Sequence, residues 1–199
     1  MDRNAKAVVP GLCCAVVRQL VGQGVFWLAV LLTGAAQAAP KVGEVPPTYV
    51  GVDAEGNAVD LFGFKGKVVV VTFWASWCGY CLKEIPVLEN VQRQAGDGRI
   101  RVIAVNIDDD NAKRRQMRAR LKDFQLLMTT DKDKKARKAY GVGGIPHLVM
   151  IDPEGKLAYR HVGYDKEMLP EIVDELNGLL EEAEAAAERE GLAPRLRVV

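Results

Sequence analysis

From Val68 to Phe73 the chain reads VVVVTF, an apolar run without polar alternation, which is the pattern of a strand covered on both faces. That strand is expected to be central. The stretch RIRVIAVNID at 99–108 reads as a second buried strand. Between the two, from Cys78 to about Ala95, Ile85, Leu88 and Val91 recur at helical spacing. A helix joining two such strands predicts a right-handed crossover with the strands parallel. Pro86 sits beyond the first turn of that helix, where it deletes the hydrogen bond to the Leu82 carbonyl, so a kink is expected.

Upstream, TYVGV and AVDLF flank the turn DAEGN and predict an N-terminal β-hairpin. Downstream, Asp108 to Asp110 precede a helix expected over about Asn111 to Phe124, with three carboxylates at its positive end. QLLMTT predicts a third strand, and DKKARKAY a short helix ended by Gly141. PHLVMID and LAYRHVG, joined by PEGK, predict an antiparallel pair. The last helix aligns Ile172, Val173, Leu176, Leu179 and Leu180 on one face and continues into the Ala/Glu run EEAEAAAERE. No internal repeat is visible. The order of elements makes an α/β fold, a sheet with helices on both faces.

At 199 residues, 49% hydrophobic and 27% charged, the chain fits one globular domain plus a terminal addition. The addition lies at the front. Arg3, Lys6 and Arg18 precede the apolar run Val25 to Leu32, and small residues end at Ala36-Gln37-Ala38. These are the three parts of a secretory signal, and Pro40 favours cleavage after Ala38. Counted from Leu20 to Ala36, the apolar stretch approaches the ~17 residues of a spanning helix, so an uncleaved membrane anchor is the alternative. Leu12 before Cys13 gives no lipoprotein signal. The expected organisation is a signal peptide or anchor at 1–38, a Pro/Gly-rich linker at 39–47, a domain at 48–180, and an Ala/Glu-rich helical extension and tail at 181–199. The formal charge is +1, and without the first 38 residues 24 basic face 25 acidic residues, a charge of −1. Neither that balance nor any motif points to nucleic acid.

Of four cysteines, Cys13 and Cys14 fall in the front segment, which leaves Cys78 and Cys81 for the domain. As a staple the pair is weak, since a four-residue ring contributes only ~2 kcal/mol, against ~3 for fifteen residues. Zinc needs four ligands, and His147 and His161 lack the usual spacing. Copper(I) accepts two soft thiolates and stays open as a carrier function. The fourth reading is a redox reagent. Placed where a buried strand meets a helix, Cys78 would face free backbone N–H groups and the helix dipole, which lower a thiol's pKa, so it should attack. Cys81, one turn further, should resolve the mixed disulfide. Glu84 shares the helix face of Cys81; buried, it could exchange a proton with that thiol, and exposed, it would be an ordinary surface glutamate.

FWASWCGYC resembles the active-site segment of the thioredoxin superfamily, and Pro86 matches that family's helix-kinking proline. YGVGGIPHLVMI resembles the segment with its cis-proline, and HVGYDKEML its glycine turn before the last helix. GNAVDLFGFKGKVVVVTFWASWC, CLKEIP with Glu84, and the extra material at 100–124 are most similar to exported reductases of the TlpA/ResA/CcmG type. The resemblance implies a thioredoxin fold: a central mixed β-sheet flanked by helices on both faces, with the N-terminal β-hairpin and an extra strand-helix insertion. It implies a redox-active Cys78–Cys81 disulfide, Glu84 as catalytic proton carrier, and a cis Ile145–Pro146 bond. Trp77, Tyr80, Ile145 and Pro146 become the expected substrate-binding surface. Thr72 stands where cytoplasmic thioredoxins carry a buried aspartate, which fits Glu84 having taken over the proton. Gly79-Tyr80 departs from the common proline-containing dipeptide and leaves open whether the pair reduces or oxidises. His147 is a candidate proton donor or copper ligand beside the simpler role of a strand-start residue.

The expected function is a periplasmic or otherwise extracytoplasmic thiol-disulfide oxidoreductase that reduces protein disulfides, with apocytochrome c or copper-site assembly proteins as substrates. A membrane electron donor is the implied partner, a membrane tether is possible, and no cofactor beyond the cysteine pair is implied. An oxidase or isomerase in the same compartment and a non-enzymatic copper(I) chaperone are the alternatives. Lys113, Arg114, Arg115, Arg118, Arg120 and Lys122 form a basic helix face, with Met117, Leu121 and Phe124 inward. That face reads as a solvated surface or as a docking patch for acidic partners or headgroups.

Overall fold

In the computed structural model, which describes residues 38–189, Val68–Trp74 is strand β3, and every one of its positions is buried. It pairs in parallel with β4 (Ile100–Asn106), from Val68 opposite Ile100 to Trp74 opposite Asn106. On its other side it pairs antiparallel with β6 (His147–Ile151). The helix between the parallel strands is α1 (Cys81–Ala95), as the apolar spacing predicts. A seven-stranded mixed sheet results, in the order β2-β1-β5-β4-β3-β6-β7. Its remaining strands are β1 (Tyr49–Val52), β2 (Ala58–Asp60), β5 (Leu127–Thr130) and β7 (Leu157–Val162). The expected hairpins β1–β2 and β6–β7 are both antiparallel. The other helices are α2 (Asn111–Arg120), α3 (Lys135–Ala139) and α4 (Leu169–Arg189).

Two cores explain the unbroken apolar run. Val68, Val70 and Trp74 share one cluster with Ile85 and Leu88 of α1, Leu148 and Met150 of β6, and Ile172, Leu176 and Leu179 of α4. Val69, Val71 and Phe73 share the other with Val149, Ile151, Ala136 and Tyr140. Because successive residues point to opposite faces and both are covered, β3 is apolar at every position but Thr72.

Several expectations shift in detail. α1 begins at Cys81 rather than Cys78: residues 78–80 form a turn whose Cys78 carbonyl still accepts from Leu82 N–H at 3.2 Å. The helix runs on through Pro86. α2 stops at Arg120 because Leu121 leaves helical geometry, yet Leu121 and Phe124 still pack on the core. Only Asp110 caps α2, accepting from the N–H groups of Ala112 and Lys113; Asp109 is exposed near Lys134, and Asp108 is buried elsewhere. Val173, expected on the inner face of α4, is 38% exposed.

The stretch read as a linker lies against the domain. Gly43 N–H donates to the Leu157 carbonyl at 2.8 Å, Leu157 N–H donates to Glu44 at 2.9 Å, and the Tyr140 hydroxyl donates to the Pro47 carbonyl at 2.6 Å. It thereby covers part of the edge that β7 would otherwise leave open. At the other end α4 is continuous across residues 180 and 181, so the extension begins inside a helix. The expected signal or anchor and the last ten residues of the tail lie outside the described residues. Among the described residues no helix is long and apolar enough to cross a membrane.

What fixes α1 along the sheet is polar. β5 begins pairing with β4 only at Ile103, which leaves the Val102 N–H without a strand partner on that side. Gln92 supplies one: its side-chain oxygen accepts from Val102 N–H at 2.6 Å, while its amide donates to the Gln125 carbonyl at 3.0 Å and to Asp97 at 2.8 Å. One turn earlier, Glu89 accepts from the N–H groups of Gln125 and Leu126 at 2.8 and 3.1 Å. Gln92→Leu leaves the buried Val102 N–H unpaired and removes the ties to Gln125 and Asp97, so the expected loss is about 2–3 kcal/mol in urea unfolding. A loss under about 0.5 kcal/mol would show that apolar packing alone holds the helix.

Candidate active site

β3 delivers the chain to the C-terminal edge of the sheet and ends at Trp74, whose carbonyl accepts from Ile107 N–H at 2.9 Å. A turn follows, in which Cys78 N–H donates to the Ala75 carbonyl at 3.0 Å, and α1 starts three residues later. Cys78 and Cys81 are joined as a disulfide with their Cα atoms 5.3 Å apart. The Cys81 backbone N–H points at Cys78 Sγ, 3.2 Å away. This is the local field that favours a thiolate on the outer sulfur. The pair is not symmetric: Cys81 is 0% exposed, whereas Cys78 keeps 7%.

Opposite the disulfide lies the loop before β6. Its Ile145–Pro146 bond is cis, and the Ile145 carbonyl oxygen is 3.8 Å from Cys78 Sγ. The Pro146 carbonyl accepts from Gly163 N–H at 2.8 Å, which ties this loop to the turn after β7. Trp77 and Tyr80 bracket Cys78 in the chain and are 68% and 60% exposed, an unusual display for large aromatic rings. The Lys83 ammonium sits over the Tyr80 ring, 5.4 Å from its centroid.

Glu84 is buried one turn into α1. Its carboxylate accepts from the Thr72 hydroxyl of β3 at 2.7 Å. Burial pushes its pKa up to about 7, against a smaller downward pull from the Thr72 hydrogen bond. The structure therefore brings Thr72 and Glu84, which the sequence marks separately, into direct contact. Tyr164, which no sequence signal marked, is buried close enough for Glu84, after burial itself, to raise its pKa.

His147 goes the other way. It pairs directly with Phe73, and its ring meets the Phe73 ring edge-on at 6.0 Å, on the face of Val149 and Ile151. Cys78 and Cys81 belong to the opposite face, with Leu148 and Met150. Strand alternation thus turns His147 away from the disulfide, which corrects its candidacy as proton donor or copper ligand there. Burial, and then the Arg160 charge, lower its pKa to about 4, so it is a neutral core residue at pH 7. Among the described residues no three His, Cys, Asp or Glu side chains converge as a metal-holding group. Sequence reading also missed Ser76 and Asp108, whose side chains meet beside the Cys78 turn from 32 positions apart.

A disulfide at a helix tip, facing a cis-proline loop from a mixed sheet, sits within the stretch that matches a known family model: residues 35–176 match Redoxin. The chain belongs to the Redoxin family. Its similarity extends to the thiol-disulfide oxidoreductase ResA of Bacillus cereus strain ATCC 10987, 29% identical over 68% of this chain and 79% of the relative. The thioredoxin-like protein YneN of Bacillus subtilis strain 168 is 32% identical over 61% of this chain and 71% of the relative. Among solved structures, the thioredoxin domain of a thiol-disulfide oxidoreductase from Bacteroides vulgatus superposes with a TM-score of 0.58 at 28% identity, over 72% of this chain and 98% of that one. The fold is thioredoxin-like, and the enzyme class is thiol-disulfide oxidoreductase.

Two buried groups make opposing contributions to stability. Glu84 holds its proton in the folded state up to about 7 against an ordinary 4.5, so its contribution is lost as pH rises through that window. His147 resists protonation down to about 4 against an ordinary 6.5, so its contribution is lost as pH falls below 6.5. Each shift corresponds to about 3 kcal/mol, and in the overlap they offset each other. Urea unfolding of the oxidised protein across pH should therefore vary little for the parent between 5 and 6.5. Glu84→Gln should become more stable relative to the parent by about 2–3 kcal/mol between pH 4.5 and pH 8. An increment independent of pH would mean that Glu84 does not titrate near neutrality.

Proposed function

We propose that this oxidoreductase works outside the cytoplasm as a reductant of protein disulfides. The observation that carries the reading is the asymmetry of the pair: Cys78 keeps 7% exposure, between two exposed aromatic residues in the chain, while Cys81 keeps none. In the reduced enzyme the Cys78 thiolate attacks a substrate disulfide, forming a mixed disulfide and releasing one substrate thiolate, which takes a proton from solvent. Cys81 then loses its proton to ionised Glu84 and attacks Cys78 Sγ. The second substrate sulfur leaves reduced, and the enzyme is left with the Cys78–Cys81 bond, two electrons having passed to the substrate.

A pKa of about 7 suits Glu84 to this transfer, since the carboxylate can accept the proton at neutral pH and later return it. Ile145 and cis-Pro146 would present an extended substrate strand, and Trp77 and Tyr80 would contact its side chains. The cysteine pair is the redox group in this reading, with no small organic cofactor. By the resemblance to exported reductases of the TlpA/ResA/CcmG type, the substrates are disulfides of apocytochrome c or of copper-site assembly proteins, and a membrane protein returns the electrons. Residues 1–38 serve as export signal or membrane anchor ahead of a catalytic domain at 48–180.

A redox titration followed by tryptophan emission tests the direction, because Trp74 and Trp77 both lie close to the pair in the chain. A midpoint below about −200 mV is expected for a reductase; one near about −120 mV would make the protein an oxidase instead. The residue roles are tested separately. Cys78→Ala should abolish dithiol exchange, and Cys81→Ala should accumulate mixed disulfides with substrate. Activity equal to the parent in either variant would contradict the assignment, and stoichiometric copper(I) binding without any reductase activity would favour a copper carrier.

A further inference from the structure

The turn that presents Cys78 is tied down by a carboxylate the redox chemistry does not use. Asp108 follows β4 but does not cap α2; its side chain, in a residue 2% exposed, turns back across the end of the sheet. Both oxygens meet donors only. Ser76 N–H approaches them at 3.0 and 3.2 Å, the Ser76 hydroxyl donates at 3.1 Å, and the Asn106 side-chain amide donates at 2.9 Å. Asp108 is itself held in place. Its N–H donates to the Asn106 side-chain oxygen at 3.0 Å, and its carbonyl accepts from the Arg114 guanidinium.

Ser76 is two residues before Cys78, and the Cys78 N–H is already bonded to Ala75, so anchoring Ser76 fixes the turn on which the sulfur rides. The distances that matter downstream are the 3.2 Å from Cys81 N–H to Cys78 Sγ and the 3.8 Å from that sulfur to the Ile145 carbonyl. A carboxylate accepts all four of these approaches, whereas an amide at position 108 would put an N–H end beside the Ser76 N–H and force the Ser76 hydroxyl to turn from donor to acceptor.

We infer that Asp108 is a positioning residue of the redox site: through Ser76 it holds Cys78 Sγ on the Cys81 N–H at the tip of α1 and so sets the acidity of the attacking thiol. The inference rests on Cys78 being that thiol. Its charge alone would act in the opposite sense, because an anion near the sulfur disfavours a thiolate. Positioning and charge therefore predict opposite shifts.

The test is the pH dependence of iodoacetamide labelling at Cys78 in the reduced full-length protein, resolved by peptide mass spectrometry, with circular dichroism confirming the fold. Ser76→Ala should raise the labelling midpoint and slow labelling below it about threefold; Asp108→Asn should do the same by about tenfold. Ser76→Thr, which keeps the hydroxyl, should label like the parent. An unmoved midpoint in Ser76→Ala, or a lower one in Asp108→Asn, overturns the inference, and if Asp108→Asn does not fold the Ser76 pair decides it. A parent Cys78 labelled no faster than a free peptide thiol brings down the functional reading and this inference together. A fast parent with unmoved variants brings down the inference alone.

Discussion

The contact between the inner face of α1 and the sheet decides where the chemistry happens. Cys81, Ile85 and Leu88 lie in one core with Val70, Val102 and Met150, so the disulfide is continuous with the packing that holds the helix down. Apolar packing fixes the face but tolerates sliding, and the polar pins of Gln92 and Glu89 remove that freedom. The tip of α1 is then held at the end of β3, where the Cys81 N–H meets Cys78 Sγ. A rigid helix tip is the feature a low-pKa thiol requires, and here it is set by contacts up to eleven residues away along the helix.

Proton handling grows out of the same burial. A carboxyl placed at position 84 of an exposed helix would ionise in the ordinary range, but inside this core, with one hydroxyl as partner, its pKa lies near neutrality. A group that destabilises the fold at neutral pH is thereby kept on the helix face of Cys81, where the proposed function uses it to carry a proton, a pattern typical of functional sites. His147 is the counterexample in the same sheet. It is equally buried and equally shifted, but strand alternation sends it to the other face, where it packs against Phe73 and takes no part in the redox site.

Much was legible in the chain because it depends on local rules. Apolar runs, helical spacing and turn residues specify the elements from β1 to α4, and the order of those elements specifies a parallel β3–β4 pair with α1 between them. The C-x-x-C pair and Glu84 are legible for the same reason: three positions on a helix lie on one face wherever that helix sits. Element ends were less so. α1 starts at Cys81 and α2 ends at Arg120 because tertiary contacts, not propensity, set the last turn.

Contacts between distant segments belong to the tertiary structure alone. No spacing rule joins Ser76 to Asp108, Gln92 to Val102, or the 40–47 stretch to β7; each depends on how the sheet stacks and where its strands stop. Periodicity could say that His147 begins a strand, but only the register of β6 against β3 could say which face it takes. The sequence thus determined the elements, the reactive pair and its nearest helical neighbour, since these follow from chain geometry over a few residues. The fold decided which carboxylate titrates near neutrality, which merely anchors a loop, and which histidine stays out of the chemistry, since burial and partners arise only when remote segments meet.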